Sequence, residues 1–335
     1  MVDHCALEWE ADTAHYSDTD QDSGTDSETD TVYTVWTDRS WLDCYLVTTD
    51  TWTTDSGAFW VSGYASGGDA GCTHPGEGFL LKFDGDAWTP VTFPGGSVPS
   101  AGTCLCERPD ETILVWDAMM EWVLVDGQAP EEMQVPEALV GDNYKSDAYC
   151  DENGDVCLVG RGGFILRYRD GEWTSMASGV TGQLWKMVHG TEKTLVYGEA
   201  NILLQLVNDE WAPIEVDDAY AINGLWVSAA DEMYMASGNV DASIPWQILQ
   251  NVDGQWTPLI TRDGVTFYHI TGDNAQTLYA ISQTGKSSAY TIWKNAGDGW
   301  IPERGMTGAA SPTSVVCLGP DNCHVNRSDF STIRL

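Results

Sequence analysis

The chain has 335 residues, with 15 basic against 51 acidic side chains and a formal net charge of -36. Nucleic acids and anionic membrane surfaces attract cationic proteins, so this charge excludes both as partners. No apolar run is long enough to span a membrane, and 16 Trp residues supply apolar area for a sizeable core.

The N-terminal segment is acidic and lacks apolar side chains over Asp18–Thr31. Because such a sequence cannot bury enough apolar surface to offset its ordering entropy, it predicts a disordered acidic tether over residues 1–30. Asp18, Asp20 and Asp22 alternate as in a calcium loop, but the glycine falls one place late and no glutamate closes the loop. We therefore predict no metal site and no cofactor.

A turn motif of the type Asp-Gly-x-Trp recurs along the rest of the chain, followed each time by a Thr- or Pro-containing segment. Intervals between successive copies run from 38 to 47 residues. Fixed spacing of this length is typical of a propeller with four strands per blade. The marker positions are Trp41, Trp88, Ala129, Trp173, Trp211, Trp256 and Trp300.

Individual strands follow from alternating apolar residues and turn signals. In one repeat we predict strands over Leu184–Val188, Lys193–Tyr197 and Ile202–Val207, with Trp211 opening the fourth. An Asp-Gly turn favours a tight hairpin because glycine tolerates positive φ. We expect the Trp after the turn to pack between neighbouring sheets.

The number of blades can be inferred from how the ring of sheets would close. The 35 residues after Trp300 provide only three strands, and Thr31–Trp41 supplies a fourth of the right length. An N-terminal strand that completes the last blade would remove an exposed sheet edge. The sequence therefore predicts an all-β, seven-bladed β-propeller over residues 31–335, with four-stranded antiparallel blades and the last blade closed by the N-terminal strand.

These Asp-Gly-x-Trp turns resemble the Asp-box and WD-type repeats of secreted bacterial surface propellers. The resemblance covers about residues 31–335 and lies in the repeat pattern, without the full Asp-box or Gly-His…Trp-Asp signature in each copy. It implies a rigid disc whose loops bind a ligand, and it implies no particular chemistry.

Nine cysteines indicate an oxidising, extracellular or cell-surface location. Cys150 with Cys157 and Cys317 with Cys323 each bracket a tight turn, so each pair is predicted to bridge a hairpin. Partners among the other central cysteines, Cys44, Cys72, Cys104 and Cys106, stay open, and Cys72 is expected to reach Cys44 or Cys104. Cys5 resembles the lipidated cysteine of a bacterial lipoprotein, although Asp3 and His4 replace the small apolar residues that normally precede one.

Ligand binding is expected on long loops at one mouth of the channel, because loops on a rigid scaffold carry function. Tyr64–Gly78 and Gly238–Pro245 are the long insertions. The candidate ligand-binding residues near them are Tyr64, His74, Trp116, Tyr220, Trp246 and Tyr268. The alternative for these aromatic residues is packing between blades.

The predicted function is a non-enzymatic, monomeric binding or scaffolding propeller at the cell surface that recognises a protein or glycan through one face. The alternative is a secreted carbohydrate-active hydrolase or lyase that uses acidic residues at the channel mouth. Three convergent arginines, or two carboxylates facing each other across the channel, would favour the enzyme. No motif in the sequence proposes either arrangement.

Overall fold

The computed structural model describes residues 46–53, 59–65, 77–83, 88–91, 93, 104–116, 121–124, 131–140, 145–218, 220–239, 245–273, 277–285, 289–307, 312–317, 323–327 and 332–335. Within these ranges the chain is built from strands, one short helix, α1 (Glu137–Val140), and two 3-10 turns at Arg161–Gly163 and Glu199–Asn201. The predicted tether and the predicted closing strand Thr31–Trp41 lie outside the described residues.

The strands form antiparallel sheets that follow one another in chain order, each sheet made of consecutive strands. The first sheet contains β1 (Leu46–Thr53), β2 (Phe59–Ala65), β3 (Gly78–Phe83) and β4 (Trp88–Pro90). The second contains β5 (Cys104–Glu107), β6 (Ile113–Trp116), β7 (Glu121–Leu124) and β8 (Glu131–Glu132). The third contains β9 (Lys145–Cys150), β10 (Val156–Gly160), β11 (Ile165–Arg169) and β12 (Glu172–Ser175).

The second half of the chain continues the pattern. The fourth sheet contains β13 (Leu184–His189), β14 (Thr194–Gly198), β15 (Leu203–Val207) and β16 (Glu210–Pro213). The fifth contains β17 (Tyr220–Val227), β18 (Met233–Asn239), β19 (Trp246–Val252) and β20 (Gln255–Arg262). The sixth contains β21 (Val265–Gly272), β22 (Leu278–Thr284), β23 (Ala289–Asn295) and β24 (Trp300–Thr307), and the last contains β25 (Pro312–Cys317), β26 (Cys323–Arg327) and β27 (Thr332–Arg334).

The blade count corrects the sequence prediction. The fold is an all-β propeller, but in the described residues five of the seven sheets count as blades, namely the β5–β8, β9–β12, β13–β16, β17–β20 and β25–β27 sheets. The β25–β27 sheet has three strands rather than four in the described residues. Turn spacing counts hairpins along the chain and carries no information on how each sheet packs around the axis. The prediction of seven four-stranded blades is therefore wrong.

The recurring turns have the backbone geometry that their residues favour. Asp170 and Gly171 have φ of 55° and 87°, and Asp253 and Gly254 have φ of 52° and 83°. Two successive positive φ values define the turn whose twist matches paired strands, and Asp-Gly is a preferred sequence for it. The motif therefore specifies the hairpin between the third and fourth strands.

The core lies between neighbouring sheets. Trp211, 8 % exposed, shares one core cluster with Val159 and Ile165 of the preceding sheet. The Trp256 indole Nε1 donates to the Glu215 carbonyl, 3.3 Å away on the chain before β17. These contacts confirm that the Trp after the turn packs between sheets, where burying a large aromatic side chain contributes about 3 kcal/mol.

Candidate functional site

Four of the candidate ligand-binding residues lie at the same end of their sheets. Tyr64 is the residue before the last of β2 and lies opposite Gly78, and Trp116 is the last residue of β6. Tyr220 begins β17, and Trp246 begins β19. In an antiparallel sheet, the end of the second strand lies beside the start of the first and third strands. The register therefore places all four at the same end of their sheets. We call this surface, which is formed by the strand ends, the edge.

Three of these four side chains keep accessible surface. Tyr64, Tyr220 and Trp246 are half-buried. Trp116 is fully buried in a core cluster with Leu114 and Leu158. Its ring consequently has no surface available to a ligand, and it packs between sheets as the alternative interpretation stated.

Tyr268 and His74 complete the candidate set. The Tyr268 hydroxyl donates to the Pro312 carbonyl at 2.9 Å, and its ring meets that of Tyr290 edge-on with centroids 6.4 Å apart. Burial raises the pKa of Tyr268 well above its usual value. Tyr268 therefore joins two sheets rather than lining an open surface, while His74 lies outside the described residues.

The first strands of the sheets contact one another in succession and carry a recurrent irregularity. The ladder skips one residue near the start of six of them, which is a β-bulge that leaves backbone groups unpaired. The skipped residues are Thr49, Ser146, Trp185, Asn223, Tyr268 and Thr313.

Side chains of one first strand satisfy backbone groups of the next. The Cys104 thiol donates to the Ser146 carbonyl at 3.0 Å, and the Asp147 carboxylate accepts from the Met187 N–H at 2.7 Å. The Asn223 amide donates to the Phe267 carbonyl at 2.9 Å. Buried polar groups must be paired to avoid a desolvation cost, so these bonds fix each sheet against its neighbour.

His269 extends this set of inter-sheet bonds. Its Nε2 lies 3.2 Å from the Val315 carbonyl oxygen, and because a carbonyl only accepts, Nε2 carries the proton. Burial, opposed by the Val315 hydrogen bond and helped by the charge of Lys186, lowers the pKa of His269 to about 4. The imidazole is therefore neutral at physiological pH and serves a structural bond.

The disulfides follow the prediction in one case and correct it in the other. Cys317 is bonded to Cys323 across the β25–β26 hairpin. Cys150 is bonded to Cys106, which joins β9 to β5 of the preceding sheet, so the predicted Cys150–Cys157 bridge is wrong. Cys157 pairs with Tyr149 in the ladder and lies in a different core cluster from Cys150, since neighbouring strand residues point to opposite faces.

Cys157 is a buried thiol, and burial raises its pKa to about 12. Among the described residues no group of three or more His, Cys, Asp or Glu side chains is placed to hold a metal ion. Within the same ranges no helix has the length and apolar character that a membrane crossing requires.

The polar residues between the sheets were missed by sequence reasoning. Asp147 and Asn223 stand in otherwise ordinary strand patterns, and no turn or spacing motif marks them. Each of these side chains lies about one repeat before the backbone group that it binds. This spacing can be recognised only after the β-bulge has been located in the structure.

Comparisons with known proteins show the fold. The chain is similar to YCF48 in a structure described as bound to the D1 peptide, at 12 % identity and a TM-score of 0.66 over 87 % of this chain and 92 % of that one. It is similar to the WD40 β-propeller domain of Doa1, at 14 % identity and a TM-score of 0.56 over 87 % and 93 %.

A third likeness is to a bacterial surface protein. PorZ, a surface component of the type-IX secretion system of Porphyromonas gingivalis, matches at 12 % identity and a TM-score of 0.58 over 85 % of this chain and 46 % of that one. No protein-family model and no curated protein matches the sequence. At these identities the likeness establishes a β-propeller and leaves the ligand to the chain's own residues.

Proposed function

We propose that this chain is an extracellular binding or scaffolding propeller that recognises a protein partner through the sheet edges carrying Tyr64, Tyr220 and Trp246. The observation that carries the proposal is the placement of these three half-buried aromatic side chains at corresponding edges of a rigid all-β scaffold. Residues 1–30 would serve as an acidic tether to the surface.

Physical chemistry supports a binding role for such an edge. Tyr and Trp bring large contact area with few rotatable bonds, and they are enriched where proteins bind one another. A scaffold already ordered before binding loses little conformational entropy on association. YCF48, a similar propeller, is described as bound to a peptide, which makes peptide recognition the first mode to test.

The cysteine chemistry supports the location. Two disulfides, Cys106–Cys150 and Cys317–Cys323, persist in oxidising compartments rather than in the cytosol. PorZ, another similar propeller, is described as a bacterial surface component.

The experiment screens the full chain against a random peptide library displayed on phage and against a glycan array. Tyr220→Leu and Trp246→Leu are expected to abolish binding of the selected ligand. Trp226→Leu is the matched control, because it removes an aromatic ring from the opposite end of β17. Thermal melting verifies that each variant folds.

The outcomes separate the alternatives. Selection of peptides that fail to bind both edge variants but bind the control supports protein recognition. If only glycans are selected, the ligand is a carbohydrate and the proposal of a protein partner is wrong. A chain that selects neither, or whose ligands are insensitive to Tyr220→Leu and Trp246→Leu, contradicts the proposal.

A further inference from the structure

An open cleft of about 560 Å³ lies between the outer strands of two neighbouring sheets. One wall is the segment that follows β8, and the other is the β11–β12 hairpin. We call it the outer cleft, and it shares no residue with the edge that carries Tyr220 and Trp246. Its lining residues are Met133, Gln134, Pro136, Tyr168, Gly171, Glu172 and Trp173.

An aromatic pair forms one side of the outer cleft. Tyr168 and Trp173 are register partners on β11 and β12, with ring centroids 5.1 Å apart and planes tilted by 52°. Both rings are half-buried against a core cluster that includes Phe164 and Leu166, and Met133 packs against the same cluster. The core and the tight hairpin therefore hold these apolar surfaces in place while part of each stays accessible.

Three exposed carboxylates lie at or beside the outer cleft. Glu172 lines it and is exposed, and Asp170 in the adjoining turn and Glu137 at the start of α1 are also exposed. Of the two cations nearby in the described part of the chain, Arg169, the ladder partner of Glu172, is already paired with Asp155, and Arg108 lies over the Tyr168 ring. None of the described lining residues is basic, in a chain whose net charge is -36. Acidic groups beside aromatic faces attract cations twice over, through the carboxylate and through the ring quadrupole.

The protein already places a cation on one ring of this pair. The guanidinium carbon of Arg108 lies over the Tyr168 ring, 5.5 Å from its centroid. Arg108 itself does not line the outer cleft. The Trp173 ring, beside Glu172, is the second member of the pair, and an external cation would reach it from the open side.

We propose that the outer cleft binds a basic segment of a partner protein. The aliphatic stem of an arginine or lysine would lie across Trp173 and Met133, and its charged head would pair with Glu172. A volume of about 560 Å³ is within the usual range for ligand sites and accommodates a few residues of extended peptide. The chain's own N-terminal segment is a poor occupant, because its acidic residues would be repelled.

Calorimetric titration of the full chain with a synthetic peptide of alternating leucine and arginine tests this proposal. A second peptide with citrulline at each arginine keeps the shape and removes the charge. Glu172→Gln is expected to weaken binding of the arginine peptide about threefold, as for an exposed ion pair. Trp173→Leu is expected to weaken it about tenfold or more, as for an aromatic residue at the centre of an interface.

Glu210→Gln is the matched control. Glu210 is an exposed residue just before Trp211, the same place in the next repeat as Glu172 before Trp173, and it does not line the outer cleft. Both substitutions remove one charge from the same turn position. A general attraction of the arginine peptide to an acidic surface would therefore affect the two variants equally.

The results discriminate between the two proposed sites. Weaker binding to Glu172→Gln and Trp173→Leu, but not to Glu210→Gln, supports the outer cleft. Equal loss in Glu172→Gln and Glu210→Gln, equal affinity for the citrulline peptide, or no binding at all overturns it. If Tyr220→Leu and Trp246→Leu abolish the binding instead, the peptide occupies the proposed edge, and the outer cleft alone is refuted.

Discussion

At the scale of single residues, His269 shows how a titratable group is used as a neutral hydrogen-bond donor. Its pKa of about 4 in the folded protein lies below the ordinary value of 6.5, because burial disfavours the charged imidazole. Between these two values the unfolded chain binds a proton that the folded chain does not. The stability that the neutral His269 imidazole contributes is therefore fully present above about pH 6.5, and it is lost as the pH falls to about 4.

The corresponding prediction concerns His269→Gln, which keeps an amide donor for the Val315 carbonyl and removes the titration. In wild type, the free energy of unfolding should fall by about 3 kcal/mol more than in the variant between about pH 7 and about pH 4. Urea denaturation at a series of pH values measures both. Parallel pH profiles for the two proteins would show that His269 is not buried as a neutral group.

Residue-level prediction from the sequence succeeded where chemistry is local. Cys317 and Cys323 bracket a short turn, and the structure joins them. The Cys150–Cys157 prediction used the same reasoning and failed, because spacing along a hairpin does not report to which face each thiol points. Trp116 failed as an accessible aromatic for a related reason: its burial is created by Val135 and Leu158, which belong to other elements.

At the scale of elements, the hairpins and their connections are set by glycines with positive φ. Gly163, in the turn between β10 and β11, has φ of 73°, and an added Cβ would lie 2.0 Å from the Val180 carbonyl oxygen. Gly171, in the β11–β12 turn, has φ of 87° and nothing within 4 Å of the same position. A side chain at Gly171 would therefore cause backbone strain alone, whereas one at Gly163 would cause both backbone strain and a steric collision.

We expect Gly171→Ala to lower the free energy of unfolding by about 1 kcal/mol, the cost of positive φ for a residue with a side chain. Gly163→Ala should cost about 4 kcal/mol or more, because the backbone must also move away from Val180. Chemical denaturation of the two variants beside wild type provides the comparison. Equal losses would mean that the turn before β11 can open without consequence for the sheet.

The two disulfides differ in the elements that they connect. Cys106–Cys150 closes a separation of 44 residues between two sheets, and Cys317–Cys323 closes one of 6 within a hairpin. Since a longer loop loses more entropy when it is closed in the unfolded chain, the first bond should stabilise by about 2 kcal/mol more than the second. Double serine variants of each pair, compared by urea denaturation, test this difference, and a larger loss for Cys317 and Cys323 would contradict it.

Strands and turns were the part of the fold that the sequence predicted well. The predicted strands Leu184–Val188 and Lys193–Tyr197 correspond to β13 and β14 within a residue or two, because alternation and turn chemistry are local signals. The bulges of the first strands were not predicted. A bulge shifts the register by one residue, and Asn223 or Thr313 carries no pattern that distinguishes it from its neighbours.

At the scale of the whole molecule, repeat spacing predicted a propeller and overstated its blades. Seven hairpin markers were read as seven equal four-stranded units, while the described residues form five blades, one of which, β25–β27, has three strands. The packing of sheets depends on contacts between residues one repeat apart, such as Tyr268 with Pro312. Those contacts, like the outer cleft, are formed between units and are invisible in the pattern of any single repeat.

Net charge is the other property that belongs to the molecule as a whole. Acidic side chains number 51 against 15 basic ones, so repulsion among the carboxylates opposes the compact state. Ion pairs such as Arg167–Asp209, with N–O 2.7 Å, and Arg169–Asp155 are exposed on at least one side and contribute little. Repulsion should therefore dominate the response of this protein to salt.

We expect sodium chloride to stabilise the protein at neutral pH, because it shortens the screening length between like charges. Raising the salt from about 0.02 M to about 0.5 M should add about 2 kcal/mol, seen in a thermal scan as a rise of about 4 °C in Tm. Near the isoelectric point of about 4.1 the net charge vanishes, and the same salt step should leave Tm almost unchanged. A Tm that falls with salt at neutral pH would mean that attractive ion pairs outweigh the repulsion among the carboxylates.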